Sequence, residues 1–142
     1  MLIGKIEIAR LIPHAGEMCL LDGVRSFDGS HIACVTETHR MLSNPLRRDG
    51  RLGILCGVEY AAQAMALHAA LAGDRTEKPR RGYLASLRRL SCHEVRLDLI
   101  PGVLFVDAER VFGEASRVIY RFTLRHEDHI VLAGQAAVAL EI

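Results

Sequence analysis

The chain has 142 residues, half of them hydrophobic, and a formal net charge of +1 at pH 7. This length and apolar content predict one domain over residues 1–142 with a single core. The near-zero charge excludes the broad positive field of most nucleic-acid-binding proteins, so no nucleic-acid partner is expected.

The start of the chain lacks the basic region and long apolar segment of a signal peptide. We expect no apolar run to be long enough to span a bilayer, and therefore expect a cytoplasmic protein without a membrane partner. The four cysteines are far apart and form no Cys-x-x-Cys pair, and the histidines are scattered. We therefore expect no metal site and no disulfide framework, with the cysteines acting as small buried hydrophobes.

The first elements in chain order are a lead and a hairpin. Residues 1–11 are apolar-rich without a clear period, so they predict no particular structure. Residues 24–27 and 31–36 are typical of strands, and Asp28-Gly29 between them is a dipeptide favoured in tight turns. A β-hairpin is predicted here.

The next segment is a loop followed by a helix. Residues 38–53 are polar and rich in arginine, and Asn44-Pro45 and Asp49-Gly50 within them predict turns. A loop of this length without regular structure often belongs to a site. Residues 58–71 are nearly all good helix formers, and Gly73 stands where a helix would end. Because this helix is apolar around most of its circumference, we expect it to be buried on most sides.

The rest of the chain predicts strands at 83–90, 95–99, 103–111, 117–125 and 130–140. One buried helix with five or six mostly antiparallel strands is an α+β pattern. It favours the hot-dog fold, in which the sheet curls around a long central helix. A sandwich with the helix on one face of the sheet would give nearly the same pattern.

Glu59 is the first candidate catalytic residue. A carboxylate in the first turn of an apolar helix is costly if it is buried and ionised without partners. Kept neutral by burial, it would donate a proton near neutral pH. Gln63 lies one turn further on the same face and could orient it. The alternative is that Glu59 caps free backbone amides and points into water.

His14 is the second candidate. It follows Pro13, whose fixed φ makes the local chain stiff, and histidine is the commonest general base. From the residues alone, an ordinary loop histidine is the more common case.

Three motifs carry a family resemblance. Pro13-His14 is followed eight residues after the histidine by Asp22, Glu59 is followed four residues later by Gln63, and Pro101-Gly102 separates two late strands. In this order the motifs resemble those of the 3-hydroxyacyl-(acyl carrier protein) dehydratases, a hot-dog family. The resemblance covers roughly residues 6–140.

Within that family the chain is most similar to the small, divergent dehydratases of aryl-polyene biosynthesis. The similarity lies in residues 44–52 and in the run Gly57-Val58-Glu59-Tyr60-Ala61-Ala62-Gln63. Typical fatty-acid dehydratases carry a His-Phe-Pro-Gly run and a Met-Pro-Gly before the helix, and this sequence contains neither.

The resemblance implies β-elimination of water from a 3-hydroxyacyl thioester. His14 would remove the proton next to the carbonyl, and Glu59 would protonate the departing hydroxyl. Gly57 is the candidate amide for the thioester oxygen, and Gln63 is a candidate substrate-binding residue. The substrate would be carried on phosphopantetheine, with no other cofactor.

The resemblance also implies partners. Family members form dimers in which each site takes its histidine from one subunit and its acid from the other, so we expect a homodimer, a higher oligomer or a pairing with a second hot-dog subunit. An acidic acyl carrier protein is the expected substrate carrier. The arginines that could bind it are Arg47, Arg48, Arg51, Arg88 and Arg89. A solvated basic surface is the alternative for any one of them.

Two other functions remain open. In a hot-dog thioesterase the helix carboxylate would activate water against the same carbonyl. In a non-catalytic subunit the chain would complete a partner's site. Residues alone do not identify the acyl chain, or whether the carrier is acyl carrier protein or coenzyme A.

Overall fold

The alternating segments pair into one antiparallel sheet of seven strands in the order β1-β2-β3-β5-β6-β7-β4. The structure is a computed structural model that describes residues 2–12, 18–73 and 82–140. The helices are α1 (Lys5–Leu11) and α2 (Gly57–Ala72). The strands are β1 (Ile3–Gly4), β2 (Gly23–Phe27), β3 (His31–Thr36), β4 (Gly82–Cys92), β5 (Leu104–Gly113), β6 (Arg117–His126) and β7 (His129–Leu140).

Helix α2 forms the centre of the core, as its alanine- and leucine-rich sequence predicts. Tyr60, Ala61, Ala64 and Leu67 are fully buried. The helix packs against β2, β3, β5, β6 and α1, so most of the sheet covers it. This arrangement of one long helix and a curled antiparallel sheet confirms the predicted hot-dog fold.

Tight turns lie where the sequence predicts them. Asp28 accepts hydrogen bonds from the Ser30 amide and hydroxyl at the β2–β3 turn. Asp49 and Gly50 both have positive φ and close a two-residue turn in which Arg48 and Arg51 exchange backbone hydrogen bonds. The turn at Asp49 and Gly50 needs the left-handed region of backbone conformation, which Asp and Gly tolerate.

Several predicted boundaries are wrong. The lead contains β1 and α1, although its sequence shows no clear period. Residues 95–99 do not form a strand, because only Arg96 bridges Gly53 and the chain then bends at Leu97. The predicted end of α2 at Gly73 is right, although Gly73 is extended rather than left-handed. Cys92 is exposed and Cys56 half-buried, so the buried-cysteine prediction holds only for Cys19 and Cys34.

One stretch, Ile54–Ala72, is long and apolar enough to cross a membrane by length and composition, contrary to the sequence analysis. Its best window has a mean hydropathy of 1.3 and is 56% buried inside the fold. The apolar character of this segment is therefore accounted for by its place in the core.

Strand β4 forms one edge of the sheet and pairs only with β7 in the described part of the chain. Two bulges interrupt the pairing, between Leu84 and Ser86 and between Arg88 and Ser91. Arg89, within the second bulge, has φ 54°. Most of the strand is exposed, including the large side chains Tyr83, Leu84, Leu87 and Leu90.

Candidate active site

A groove of about 330 Å³ runs between α2 and the β4 end of the sheet. Most of its wall is apolar. The lining residues are Glu59, Ala62, Gln63, Met65, Ala66, Gly82, Tyr83, Leu84, Val118, Tyr120, Val138 and Leu140. Its size lies in the range of small-molecule sites, and an apolar wall with a few polar groups is typical of them.

Glu59 brings the carboxylate to this groove from the first turn of α2. The prediction that Glu59 is buried is wrong for the single chain, because its side chain is exposed. Ala62 and Ala66 continue the same helix face and add little bulk, so the carboxylate remains open to the groove. In this position it can exchange a proton with a molecule bound there.

Gln63 is almost fully buried, with 2% of its surface exposed. Its Oε1 accepts a hydrogen bond from the Leu20 amide at 2.9 Å, and its Nε2 donates to the Met18 carbonyl at 2.7 Å. The expectation that Gln63 orients Glu59 is therefore wrong, since no hydrogen bond joins the two among the described residues. Gln63 instead fastens the segment around Met18 to α2.

A second set of buried polar groups fastens the same segment. The Tyr60 hydroxyl lies 2.7 Å from Thr38 Oγ1 and accepts a hydrogen bond from Asn44 Nδ2 at 3.0 Å. Thr38 Oγ1 also donates to the Leu20 carbonyl at 2.7 Å. Burial raises the pKa of Tyr60, so the phenol stays protonated in this network.

His14 lies outside the described residues. The described chain stops at Ile12, at the end of α1, and resumes at Met18, whose carbonyl Gln63 holds. Both the contacts of His14 and its distance from Glu59 therefore remain predictions.

Gly57 is needed for packing. A Cβ on it would lie 2.7 Å from Leu132 Cδ2 and 2.9 Å from Leu124 Cδ2, closer than the core allows. Its amide already donates to the Ile54 carbonyl in the short 3₁₀ turn before α2. In this geometry the Gly57 amide is engaged, so the structure gives no support to its predicted thioester-binding role.

The arginines of the loop before α2 differ in role. Arg47 is mostly buried and donates to the carbonyls of Met41 and Gly50, at 2.8 Å and 2.7 Å. It also faces Asp98 at 3.7 Å. The carrier-binding interpretation does not fit Arg47, because its guanidinium holds the loop together. Arg48 and Arg51 are exposed beside this loop.

Arg88 and Arg89 are also exposed, but they lie on edge strand β4. Arg88 pairs with Gln135 of β7, and Arg89 occupies the bulge. The predicted carrier-binding arginines thus lie on separate elements.

Two buried histidines escaped the sequence analysis. His68 of α2 is fully buried, with Nδ1 2.7 Å from the Tyr120 hydroxyl and Nε2 2.9 Å from the Asp28 carbonyl. His39 is also fully buried, and its Nε2 lies 3.0 Å from the Ile100 carbonyl. A lone histidine within an apolar helix, and a tyrosine on the core face of β6, were the signals that could have revealed the first pair.

No group of three or more His, Cys, Asp or Glu side chains with metal-binding geometry occurs within residues 2–12, 18–73 and 82–140.

The model of the ApeP-like family, described as ApeP dehydratase, matches residues 6–140. The chain belongs to the ApeP-like dehydratase family. This membership accounts for the order of motifs around Glu59 and extends over nearly the whole chain. A search of curated proteins gave no match.

Solved structures similar to this ApeP-like chain share its fold. One is the dehydratase heterocomplex ApeI:P from Xenorhabdus doucetiae, with a TM-score of 0.82, 21% identity, and coverage of 95% of this chain and 91% of that one. Another is a thioesterase from Pseudomonas aeruginosa, with a TM-score of 0.68, 10% identity, and coverage of 96% and 92%. A third is a hypothetical thioesterase with coenzyme A from Streptococcus pneumoniae, with a TM-score of 0.61, 13% identity and 84% coverage of both chains.

Proposed function

We propose that this ApeP-like chain removes water from a 3-hydroxyacyl thioester to give a trans-2-enoyl thioester. The single observation that carries the proposal is the Glu59 carboxylate at the apolar groove beside α2. Family membership supports the reaction class. A carboxyl group beside an apolar wall can protonate the hydroxyl that leaves from a bound acyl chain.

His14 is the proposed base. It removes the proton next to the carbonyl while Glu59 gives a proton to the β-hydroxyl, so that water leaves and a carbon–carbon double bond forms. The hydrogen bonds of Gln63 and Thr38 to the Met18 and Leu20 carbonyls support this assignment, because they hold residues four and six positions after His14 against α2 and its neighbouring loop. The substrate is proposed to be carried on phosphopantetheine, with no further cofactor.

The exposure of Glu59 agrees with a site completed by a second chain. The groove lies beside edge strand β4, whose outer backbone edge pairs with no strand in the described chain and whose large apolar side chains are partly exposed. We propose that a copy of this chain, or a second hot-dog subunit, pairs there and encloses the carboxylate. Such an assembly would remove Glu59 from water, and a dry site favours the neutral carboxyl that a general acid needs. A cytoplasmic location is proposed with this function.

An acidic acyl carrier protein is the proposed donor of the substrate. Arg48 and Arg51 support this choice, since they are exposed in the loop before the helix that carries Glu59. Coenzyme A thioesters serve as the comparison substrate, because both carriers end in the same phosphopantetheine arm.

The test is direct. Purified protein is incubated with 3-hydroxyacyl carrier protein and with the coenzyme A thioester, and the products are separated by mass spectrometry. Formation of the enoyl thioester, lost in His14→Ala and in Glu59→Gln, is the expected result. Wild-type turnover with both variants fully active would show that the residue roles are wrong.

A thioesterase is the second candidate, favoured by the fold shared with the thioesterases from Pseudomonas aeruginosa and Streptococcus pneumoniae. Release of free thiol without an enoyl product would select it. A non-catalytic subunit is the third, and it would be inactive alone and active only with its partner chain. Assays with and without the second hot-dog chain of the same organism separate these outcomes.

A further inference from the structure

One polar pair is built into the wall of the groove. Tyr120 of β6 is buried and lines the groove, and its hydroxyl lies 2.7 Å from His68 Nδ1. The two rings meet edge to face, with centroids 5.6 Å apart. The other side of the imidazole reaches the Asp28 carbonyl in the β2–β3 turn.

The direction of each hydrogen bond follows from the Asp28 carbonyl, which can only accept. His68 Nε2 therefore carries the proton, Nδ1 accepts, and the Tyr120 hydroxyl donates to it. Burial lowers the pKa of His68 and raises the pKa of Tyr120 to about 12, so both groups are neutral at pH 7. The pair is a fixed, uncharged unit.

Three elements hold this unit in place. Tyr120 stands on β6, His68 on α2, and Asp28 in the hairpin turn. Arg110 clamps that turn from β5 by donating to the Gly29 carbonyl at 2.8 Å. Moving the Tyr120 ring would break buried hydrogen bonds, so this part of the wall resists displacement.

We infer that Tyr120 is a specificity-determining residue that limits the acyl chain accepted by the groove, and that His68 is its positioning residue. The inference rests on the proposed function, since it takes the acyl part of the thioester as the occupant. Besides Glu59, the groove is lined by small and apolar residues that include Ala62, Ala66, Val118 and Val138, and this apolar wall suits a chain of methylene groups.

The main test enlarges the groove. Tyr120→Ala and the milder Tyr120→Leu are assayed with 3-hydroxybutanoyl, 3-hydroxyoctanoyl and 3-hydroxydodecanoyl pantetheine thioesters, with the partner chain included if activity needs it. The ratio of kcat/KM for the dodecanoyl to the butanoyl substrate should rise about tenfold or more, because contacts with even one methylene can change discrimination by that factor. Tyr120→Phe keeps the ring but loses the hydrogen bond to His68, so it should shift the ratio in the same direction as Tyr120→Leu and by a smaller factor.

Substitutions of His68 test the positioning role. His68→Leu removes the acceptor for the Tyr120 hydroxyl and should shift the chain-length ratio in the same direction as Tyr120→Leu. His68→Asn places an amide oxygen near the position of Nδ1 and should restore the wild-type ratio. Equal ratios in His68→Leu and wild type would overturn the positioning role.

A second substitution narrows the groove instead of enlarging it, from the exposed side of helix α2. Ala66→Leu fills the groove without entering the core and should lower the dodecanoyl to butanoyl ratio about tenfold. Ala69→Leu is the matched control, because Ala69 is an exposed alanine of the same helix outside the lining. It should leave the ratio unchanged.

A binding measurement separates this inference from the proposed reaction. Absence of the enoyl product with every thioester would reject the dehydratase. Calorimetric titration with saturated butanoyl and dodecanoyl pantetheine still compares the two chain lengths in wild type, Tyr120→Leu and Ala66→Leu. A ratio of the dodecanoyl to the butanoyl Kd that is the same in wild type and in both variants would overturn the inference. So would the absence of binding of either compound to folded wild type.

Discussion

The two sides of helix α2 differ in how far their side chains are buried and hydrogen-bonded. On one side, Tyr60 is buried, and Gln63, although it borders the groove beside Glu59, is buried as well. Every polar side-chain atom of these two residues has a partner in Thr38, Asn44 or the backbone near Leu20. On the other side, Glu59, Ala66 and Ala69 are exposed, and the neighbouring edge strand is open.

This difference separates the structural polar groups of the helix from the proposed catalytic carboxylate. Buried groups with satisfied hydrogen bonds hold the chain in one conformation. A carboxylate left beside an apolar groove contributes little to folding and is available to a substrate or partner. Glu59 and Gln63 lie one turn apart, so adjacent positions of a single motif serve different purposes.

The largest expected effect is on activity at the open side. Glu59→Gln should lower enoyl formation by about 10²–10⁴-fold, the usual contribution of an acid or base. The free energy of unfolding should change by less than about 0.5 kcal/mol because the side chain is exposed. Urea denaturation and initial rates measure the two effects. Glu114→Gln, an exposed control, should change neither the rate of enoyl formation nor the free energy of unfolding. A large loss of stability in Glu59→Gln would contradict the view that Glu59 contributes little to folding.

The next effect concerns the loop that leads into α2. Asp98 accepts from the Leu52 amide and from Arg96, and faces Arg47 at 3.7 Å. Asp98→Ala should cost about 3 kcal/mol, because it leaves a largely buried arginine without its counter-charge. Asp128→Asn, in an exposed turn, is the control and should cost less than about 0.5 kcal/mol. Equal urea midpoints for wild type and Asp98→Ala would contradict this assignment.

Hydrogen bonds to Arg96 hold the pKa of Asp98 down to about 2. This stabilisation is present above the unfolded pKa of an aspartate, about 3.9, and is lost as the pH falls towards about 2. The Asp98 contribution should therefore persist at mildly acidic pH.

On the closed side, Gln63→Leu should cost about 2 kcal/mol, since the buried Leu20 amide loses its acceptor and the Met18 carbonyl its donor. Chemical denaturation measures the change. Gln135→Leu on the outer face of β7 is the matched control and should be nearly neutral. Equal losses of stability in the two variants would mean that the Gln63 hydrogen bonds do not stabilise the fold more than an ordinary surface position does.

The smallest expected effect is a pH dependence of stability. Burial lowers the pKa of both His39 and His68, so the folded state binds fewer protons than the unfolded state below about pH 6.5. The free energy of unfolding should fall by about 1 kcal/mol between about pH 7 and pH 5. Urea titrations across this range measure it, and His39→Gln should flatten the curve. A pH-independent wild-type stability would refute the expectation.

Periodicity and turn residues were enough to predict most of the fold. The alternating segment at 117–125 became β6, the alanine-rich segment became α2, and the dipeptides Asp28-Gly29 and Asp49-Gly50 became turns. These features depend on local sequence. The short β1 and α1 were missed because their stability comes from contacts with β2 and α2.

The candidate site was less predictable because it depends on three-dimensional neighbours. The helix sequence suggested burial for Glu59 but not which side the sheet would leave open. Arg47 looked like a free cation until its carbonyl partners at Met41 and Gly50 were known. The pairing of His68 with Tyr120 joins residues 52 positions apart, which no local pattern reveals.

The bulges of β4 have a consequence for solubility. A straight, eleven-residue edge strand with exposed leucines would template the addition of further strands and the growth of fibrils. The positive φ at Arg89 interrupts the regular strand backbone at the bulge, and the charges of Arg88 and Arg89 oppose the addition of further strands. The edge can therefore remain open to the proposed partner subunit while resisting the open-ended addition of strands.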